Sequence, residues 1–273
     1  MDTRILLVGC GKMGGALLGG WLDQGIPGTN VHAIEPNENL WQDIAGPFIE
    51  QGVTFNAAPD ELGADFEPDF VLFAVKPQMA DEVVPAYKKY AGSATFISIA
   101  AGKTIAFFES NLSSEAAIIR IMPNIPAAVR RGISIACGNA NVSEAAKSTC
   151  LELLNAVGAA SWIDDESLID AVTAVSGSGP AYVFLLAETM TQAGIEAGLS
   201  PEIASLLAVH TVAGSGELLV QSDSDAETLR KNVSSPGGTT EAALSILIGE
   251  NGMQELMSKA IAKAVERSKE LAG

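Results

Sequence analysis

Arg4-Ile5-Leu6-Leu7-Val8 runs apolar into Gly9-Cys10-Gly11-Lys12-Met13-Gly14, and Gly15-Ala16-Leu17-Leu18 then opens a helical pattern that continues to about Gln24. The order is buried strand, glycine turn, helix. That G-x-G-x-x-G spacing permits a tight turn at Gly9, close approach of a pyrophosphate at Gly11 and close helix-on-strand packing at Gly14. A structural βα turn would also accept these glycines. The position between a buried strand and a helix favours a dinucleotide site.

Working outward, the next strand is Val31-His32-Ala33-Ile34, ending at Glu35. An acid about 20 residues beyond the glycine turn is where ribose hydroxyls are accepted and a 2′-phosphate is repelled. No Lys or Arg stands between Pro36 and Gln42 to receive that phosphate, so the site leans toward NAD(H). A solvated acid at a strand end is the plainer reading of Glu35. Further strands are expected at 69–75, 94–99 and 118–121, followed respectively by Lys76-Pro77, Ala100-Ala101-Gly102 and Met122-Pro123-Asn124-Ile125-Pro126. Pro77 suits the first turn of a helix from Gln78 to Tyr90. Small residues at 100–102 let a flat ring lie close, and Asn124 is placed to point an amide at a ligand. Singly these are structural features; together they put loops at successive strand ends on one sheet edge, where open α/β sheets bind ligands. Short strands at 132–137 and 159–163 flank a helix from Ser143 to Val157, and no strand pattern follows Asp164. The expectation is a doubly wound α/β domain over residues 1–163 and an all-α domain over 164–273.

In that second part, a helix from Leu168 to Val175 meets Ser176-Gly177-Ser178-Gly179-Pro180, which should break and restart it. The restarted helix, about Ala181 to Ala197, is apolar on nearly every side, as is Ile203 to Val220. A helix apolar all round must be surrounded. A second subunit is one cover, giving an intertwined homodimer; a core position within one chain is the other. Ala226 to Asn232, Thr240 to Ile248 and Gln254 to Leu271 complete the helices. Ahead of the helix at 240 stands Ser234-Ser235-Pro236-Gly237-Gly238-Thr239-Thr240. Adjacent glycines and a helix N-terminus make a backbone cradle for a carboxylate or phosphate, unless the stretch is an ordinary glycine-rich helix entry.

The bulk composition limits the partners. With 16 Lys and Arg against 33 Asp and Glu, the net charge of −17 over 273 residues disfavours a nucleic acid or an anionic membrane. Cys10, Cys137 and Cys150 have no metal-ligand spacing and an odd count, so neither a metal site nor a disulfide framework is expected. No basic region with a cleavage site opens the chain, and the uncharged run Ala171 to Ala187 is interrupted by Ser-Gly-Ser-Gly-Pro, which makes it a poor membrane span. A cytoplasmic protein is expected.

Hydride transfer to a ketone calls for a nearby acid. His32 lies within a strand, His210 lies mid-helix, and no Lys occurs between Asp164 and Arg230. A cyclic imine removes the difficulty, because its nitrogen arrives protonated, and an imino acid brings its own carboxylate as an anchor.

The stretches Gly9 to Gly14, Ala74-Val75-Lys76-Pro77, Ser98 to Gly102, Arg120 to Asn124, Ser176 to Tyr182 and Asn232 to Thr240 closely resemble pyrroline-5-carboxylate reductases, over essentially the whole chain. The resemblance implies reduction of 1-pyrroline-5-carboxylate to L-proline by NAD(P)H. It also implies a Rossmann domain followed by a helical dimerisation domain, with a decamer as a further assembly. By motif it implies that Gly9, Cys10, Gly11, Lys12, Met13 and Gly14 hold the pyrophosphate, with Glu35 near the ribose. Val75, Lys76, Pro77, Ala100, Ala101 and Gly102 would line the nicotinamide side. Ser235, Gly238 and Thr239 would bind the substrate carboxylate, and Thr240 the ring nitrogen. An alcohol holds its proton tightly, so Thr240 is expected to orient while water supplies the proton. Many relatives carry a phosphate-friendly residue near position 35 and use NADP(H), which sets Glu35 apart. A 3-hydroxyacid dehydrogenase, disfavoured by the missing lysine, and a dinucleotide-sensing regulator without chemistry are the alternatives.

Overall fold

The structure is a computed structural model and describes residues 2–37, 45–63 and 66–272. By contacts the chain divides into two compact units, residues 1–177 with 265–273, and residues 178–264. The last strand ends at Trp162, beside the boundary read at Ile163, while the contact division falls between Gly177 and Ser178.

The strands of the first unit are β1 (Ile5–Val8), β2 (Val31–Ile34), β3 (Thr54–Asn56), β4 (Phe70–Phe73), β5 (Thr95–Ser98), β6 (Ala117–Met122), β7 (Gly132–Gly138) and β8 (Gly158–Trp162). They form one sheet in the order β3-β2-β1-β4-β5-β6-β7-β8. β3 through β6 pair in parallel, the doubly wound order of a Rossmann fold, and β7 runs antiparallel to β6. The reversal follows from length: residues 123–131 are fewer than the dozen or so a parallel crossover requires.

Both faces of the sheet are covered, which is why its central strands read as continuous apolar runs. Along β1, Ile5 and Leu7 enter the core that holds Leu17 and Trp21, while Leu6 and Val8 enter the one that holds Phe73 and Phe108. Trp21 also donates its Nε1 proton to the Leu153 carbonyl at 3.0 Å, pinning helix Lys12–Asp23 to helix Glu144–Asn155. β3 was not expected from the sequence: Thr54-Phe55-Asn56 carries no apolar run and is ordered by its register with His32, Ala33 and Ile34. The helix expected from Gln78 to Tyr90 is instead a 3₁₀ turn Pro77–Met79, one α turn Ala80–Val83 and a second 3₁₀ stretch Val84–Tyr90. Pro85, inside that run, has no N–H to give an α-helix.

The Ser-Gly-Ser-Gly-Pro stretch ends one α-helical segment and starts another, with Ser178 at the N-cap of the second. A π turn at Thr173–Gly177 carries the chain from Ile169–Val172 into Gly179–Glu196, with Pro180 in the first turn of the latter. The helical stretches Glu166–Glu196 and Pro201–Gln221 are both long and apolar enough to cross a membrane by length and composition. In the second unit these helices meet each other through small residues: a Cβ on Gly194 would stand 3.2 Å from that of Ala204. Most of their apolar side chains are left outward, including Phe184 (62 % exposed) and Val220 (74 %).

Candidate active site

The glycine turn follows β1 at the point where strand order reverses between β2 and β4, the crevice position of doubly wound sheets. Gly9 holds φ +91°, and a side chain there would come within 2.9 Å of the Ala74 carbonyl. Its N–H donates to the Ile34 carbonyl at 2.8 Å, tying the turn to the end of β2. Gly14 is excluded from bearing a side chain by the Gly9 carbonyl, 2.3 Å from where its Cβ would stand. Gly11 is different: nothing of the protein lies within 4 Å of its Cβ position. Packing therefore does not demand glycine at 11, and the bare backbone there leaves room for a group to approach the turn closely. Within the turn Lys12 is exposed, Met13 and Gly11 are half-buried, and Cys10 is buried.

Glu35 is 8 % exposed. Its Oε2 accepts the Cys10 N–H at 2.9 Å and its Oε1 the Asn37 N–H at 3.0 Å. A carboxylate is thus fixed against the glycine turn. The Cys10 thiol beside it is pushed up to about 12, by burial first and by the Glu35 charge second, and stays protonated. Residues 38–44, most of the stretch that lacks a phosphate-binding cation, lie outside the described residues.

A cavity of about 320 Å³ opens beside the turn. Met13, Val75, Lys76 and Ala101 line it, together with Ala74 and Ile99. Its other side is made by Met122, Pro123, Asn124, Ile125 and Gly177. Of the other residues expected around a nicotinamide, Pro77 starts the 3₁₀ turn, and Ala100 is buried with its N–H on Ser98 Oγ at 3.2 Å. Gly102 takes φ +77° in the turn after β5. Asn124 does not offer its amide freely: Oδ1 accepts the Ile133 N–H at 2.9 Å and Nδ2 donates to the Ser176 carbonyl at 3.1 Å. Gly177 was read only as part of a motif; a period of 3.6 sees a break there, and the π turn that brings it to the cavity leaves no such trace in sequence.

The second unit holds the Ser234 to Thr240 loop. Ser235 accepts the Gly238 N–H on its carbonyl at 3.0 Å, with Pro236 next and Gly237 at φ +69°, the pattern of a type II turn. Gly238 caps helix Thr239–Leu247 in an extended conformation and offers no side chain to its first N–H groups. Glu241 instead accepts the Gly237 N–H at 2.6 Å. Ser235 and Thr239 are exposed and Thr240 is half-buried. Arg230, Lys231, Ser234 and Glu241 line a hollow of about 510 Å³ behind the loop.

The two histidines lie in different surroundings. His32 stacks on Phe66 with ring centroids 3.8 Å apart, burial holds its pKa below the usual range, and His210 sits exposed on helix Pro201–Gln221. Among the described residues no group of three or more His, Cys, Asp or Glu is arranged to hold a metal.

This turn, cavity and sheet define a dinucleotide-dependent oxidoreductase, and residues 4–102 match the family described as NADP oxidoreductase coenzyme F420-dependent. Residues 166–271 match the family described as pyrroline-5-carboxylate reductase dimerisation. A pyrroline-5-carboxylate reductase of Pseudomonas aeruginosa is 42 % identical over 273 residues, covering 98 % of this chain and 97 % of that one. The structure of one from Coxiella burnetii superposes with a TM-score of 0.93 at 31 % identity, covering 100 % of both chains. The Plasmodium falciparum enzyme, solved with NADP bound, superposes with a TM-score of 0.82 at 32 % identity over 99 % of this chain and 98 % of that one. The chain belongs to the pyrroline-5-carboxylate reductase family.

Proposed function

We infer that this protein reduces 1-pyrroline-5-carboxylate to L-proline at the expense of NAD(P)H, the last step of proline biosynthesis. The observation that carries the reading is end-to-end membership in the reductase family, with both the glycine turn and the Ser234 to Thr240 loop inside the matched length. When bound, the reduced nicotinamide supplies the hydride that the imine carbon accepts.

The chain's own residues bind and orient. The 9–14 turn receives the pyrophosphate, and Val75, Lys76, Pro77, Ala100, Ala101 and Gly102 form the nicotinamide side. Ser235, Gly238 and Thr239 hold the imino-acid carboxylate, helped by the free N–H groups of the helix behind them. Thr240 orients the ring nitrogen, which brings its own proton, so the stretch between Asp164 and Arg230 need supply no lysine acid. Glu35 supports NADH as the preferred donor, since it stands where a 2′-phosphate would need a cation. The resemblance to a relative solved with NADP supports the opposite preference.

The chain forms a homo-oligomer, and we read its outward apolar helices as the contact of a cytoplasmic homodimer, with a decamer as the further assembly. Residues 1–163 form the dinucleotide-binding domain and residues 164–273 the helical substrate-binding and dimerisation domain in this reading.

Mixing pure protein with pyrroline-5-carboxylate and either NADH or NADPH, and following cofactor absorbance, tests the reading. Oxidation with at least one cofactor is expected. No oxidation with either would reject it, and turnover of a 3-hydroxyacid instead would favour the dehydrogenase alternative.

A further inference from the structure

We propose that Asn124 is a positioning residue for hydride transfer, which shapes the nicotinamide-side cavity by clamping the π turn Thr173–Gly177 to the loop after β6. The inference rests on the reading that this cavity takes the nicotinamide.

Asn124 is 9 % exposed and precedes the 3₁₀ turn Ile125–Val129, where an asparagine ordinarily caps the turn with its side chain. It makes no such cap. Its amide bridges outward: the Ile133 N–H can only donate and the Ser176 carbonyl can only accept, so the two partners fix which end is oxygen and which is nitrogen. The first bond holds the start of β7 and the second holds the π turn.

π turns are strained departures from the α-helix that recur at functional positions. In this one the hydroxyls of Thr173 and Ser176 fold back on the carbonyls of Ile169 and Val172, at 2.8 and 2.9 Å. The Ser176 carbonyl accepts from Asn124 Nδ2. The next residue, Gly177, lies so close to Met122 that a Cβ would meet the Met122 Cε at 2.4 Å. Met122, Asn124 and Gly177 all line the cavity. A shift of the π turn therefore moves the wall against which a nicotinamide ring is held, and misplacement by about 1 Å costs on the order of 100-fold in rate.

The test is the pH dependence of Asn124→Asp. A carboxyl there accepts from Ile133 at any pH, but donates to the Ser176 carbonyl only while protonated, and opposes it once ionised. The ratio of variant to wild-type kcat is expected to lie near one at the acid end of the working range and to fall by about 10-fold or more as the carboxylate forms. The imine KM should change little. Asn124→Leu, which lacks both bonds, should be slow at every pH. Reduced-cofactor affinity, read without imine from cofactor fluorescence, should weaken in parallel.

A kcat ratio independent of pH, whether high or low, would overturn the proposal. So would loss of fold in step with ionisation, seen by far-UV circular dichroism, or a change confined to the imine KM. Wild-type turnover is measured first. Its absence removes the functional reading alone, and the pH dependence of cofactor affinity then decides the role of Asn124, an unchanged affinity counting against it.

Discussion

The Glu35 carboxylate accepts the backbone N–H of Cys10 at 2.9 Å, so the acid at the end of β2 is bonded to the glycine turn that follows β1. A negative charge held there raises the cost of a neighbouring 2′-phosphate. Glu35→Ser should shift the NADPH to NADH ratio of kcat/KM toward NADPH by about tenfold, the scale of one charge-assisted contact at about 1.4 kcal/mol. Steady-state kinetics with both cofactors measures it. An unchanged ratio would mean that Glu35 does not face the ribose.

Gly11 and Gly14 are glycines for different reasons, and alanine separates them. At Gly14 the new methyl meets the Gly9 carbonyl at 2.3 Å, so Gly14→Ala should cost about 1–3 kcal/mol of stability as well as cofactor binding. At Gly11 it meets no protein atom, so Gly11→Ala should melt as the wild type does while binding NADH or NADPH at least about tenfold more weakly. Thermal melts and cofactor titrations of both variants decide. A Gly11→Ala protein with normal cofactor affinity would remove the pyrophosphate from this turn.

What the sequence disclosed followed the strength of local signals. The buried runs at Ile5–Val8 and Phe70–Phe73 and the helices beginning near Ser143 and Ala226 follow local period, readable without neighbours. β3 and the π turn were illegible because one is ordered by pairing with β2 and the other departs from the period of 3.6 by which helices are read. At the candidate site the glycine turn and Glu35 could be found from spacing. The engagement of Asn124 by Ile133 and Ser176 could not, because contacts across 9 and 52 residues leave no pattern in composition or period.

In the helical unit Ser235 opens the turn tightened by Pro236 and Gly237, and Thr240 lies in the first turn of the helix that follows. If Ser235 bonds the substrate carboxylate directly, Ser235→Ala should mainly raise the imine KM, by a loss of about 1–3 kcal/mol. Thr240→Ala should lower kcat, since orientation of the ring nitrogen matters in the reacting complex. Both are read from saturation curves at fixed cofactor. A Thr240→Ala enzyme with full kcat would leave that threonine without a role in the reaction.

The three thiols bear on stability at alkaline pH. Burial pushes Cys10, Cys137 and Cys150 each up to about 12, against 9.0 for an unburied thiol. The unfolded chain therefore loses these protons first. Above pH 9 it binds fewer protons than the native state, so stability must fall as pH rises, by as much as about 1.4 kcal/mol per pH unit for each thiol. Urea unfolding at successive pH values should show this decline, and replacing all three cysteines with alanine should flatten it. An equally steep decline in the cysteine-free protein would assign the effect to other groups.

The helices of the second unit turn large apolar side chains outward. Phe184 at 62 % and Leu207 at 52 % exposure are too apolar to face water in a stable monomer of this length, and each large side chain buried in a contact contributes about 1.5–3 kcal/mol. Sedimentation velocity without detergent should find a homo-oligomer built on a dimer. Phe184→Asp with Leu207→Asp should shift it toward monomer, because two charges would be buried without partners. The same helices are long and apolar enough to cross a membrane, so the competing outcome is concrete: protein recovered only from detergent-extracted membranes, with assembly indifferent to the two aspartates, would replace the subunit contact by a lipid one.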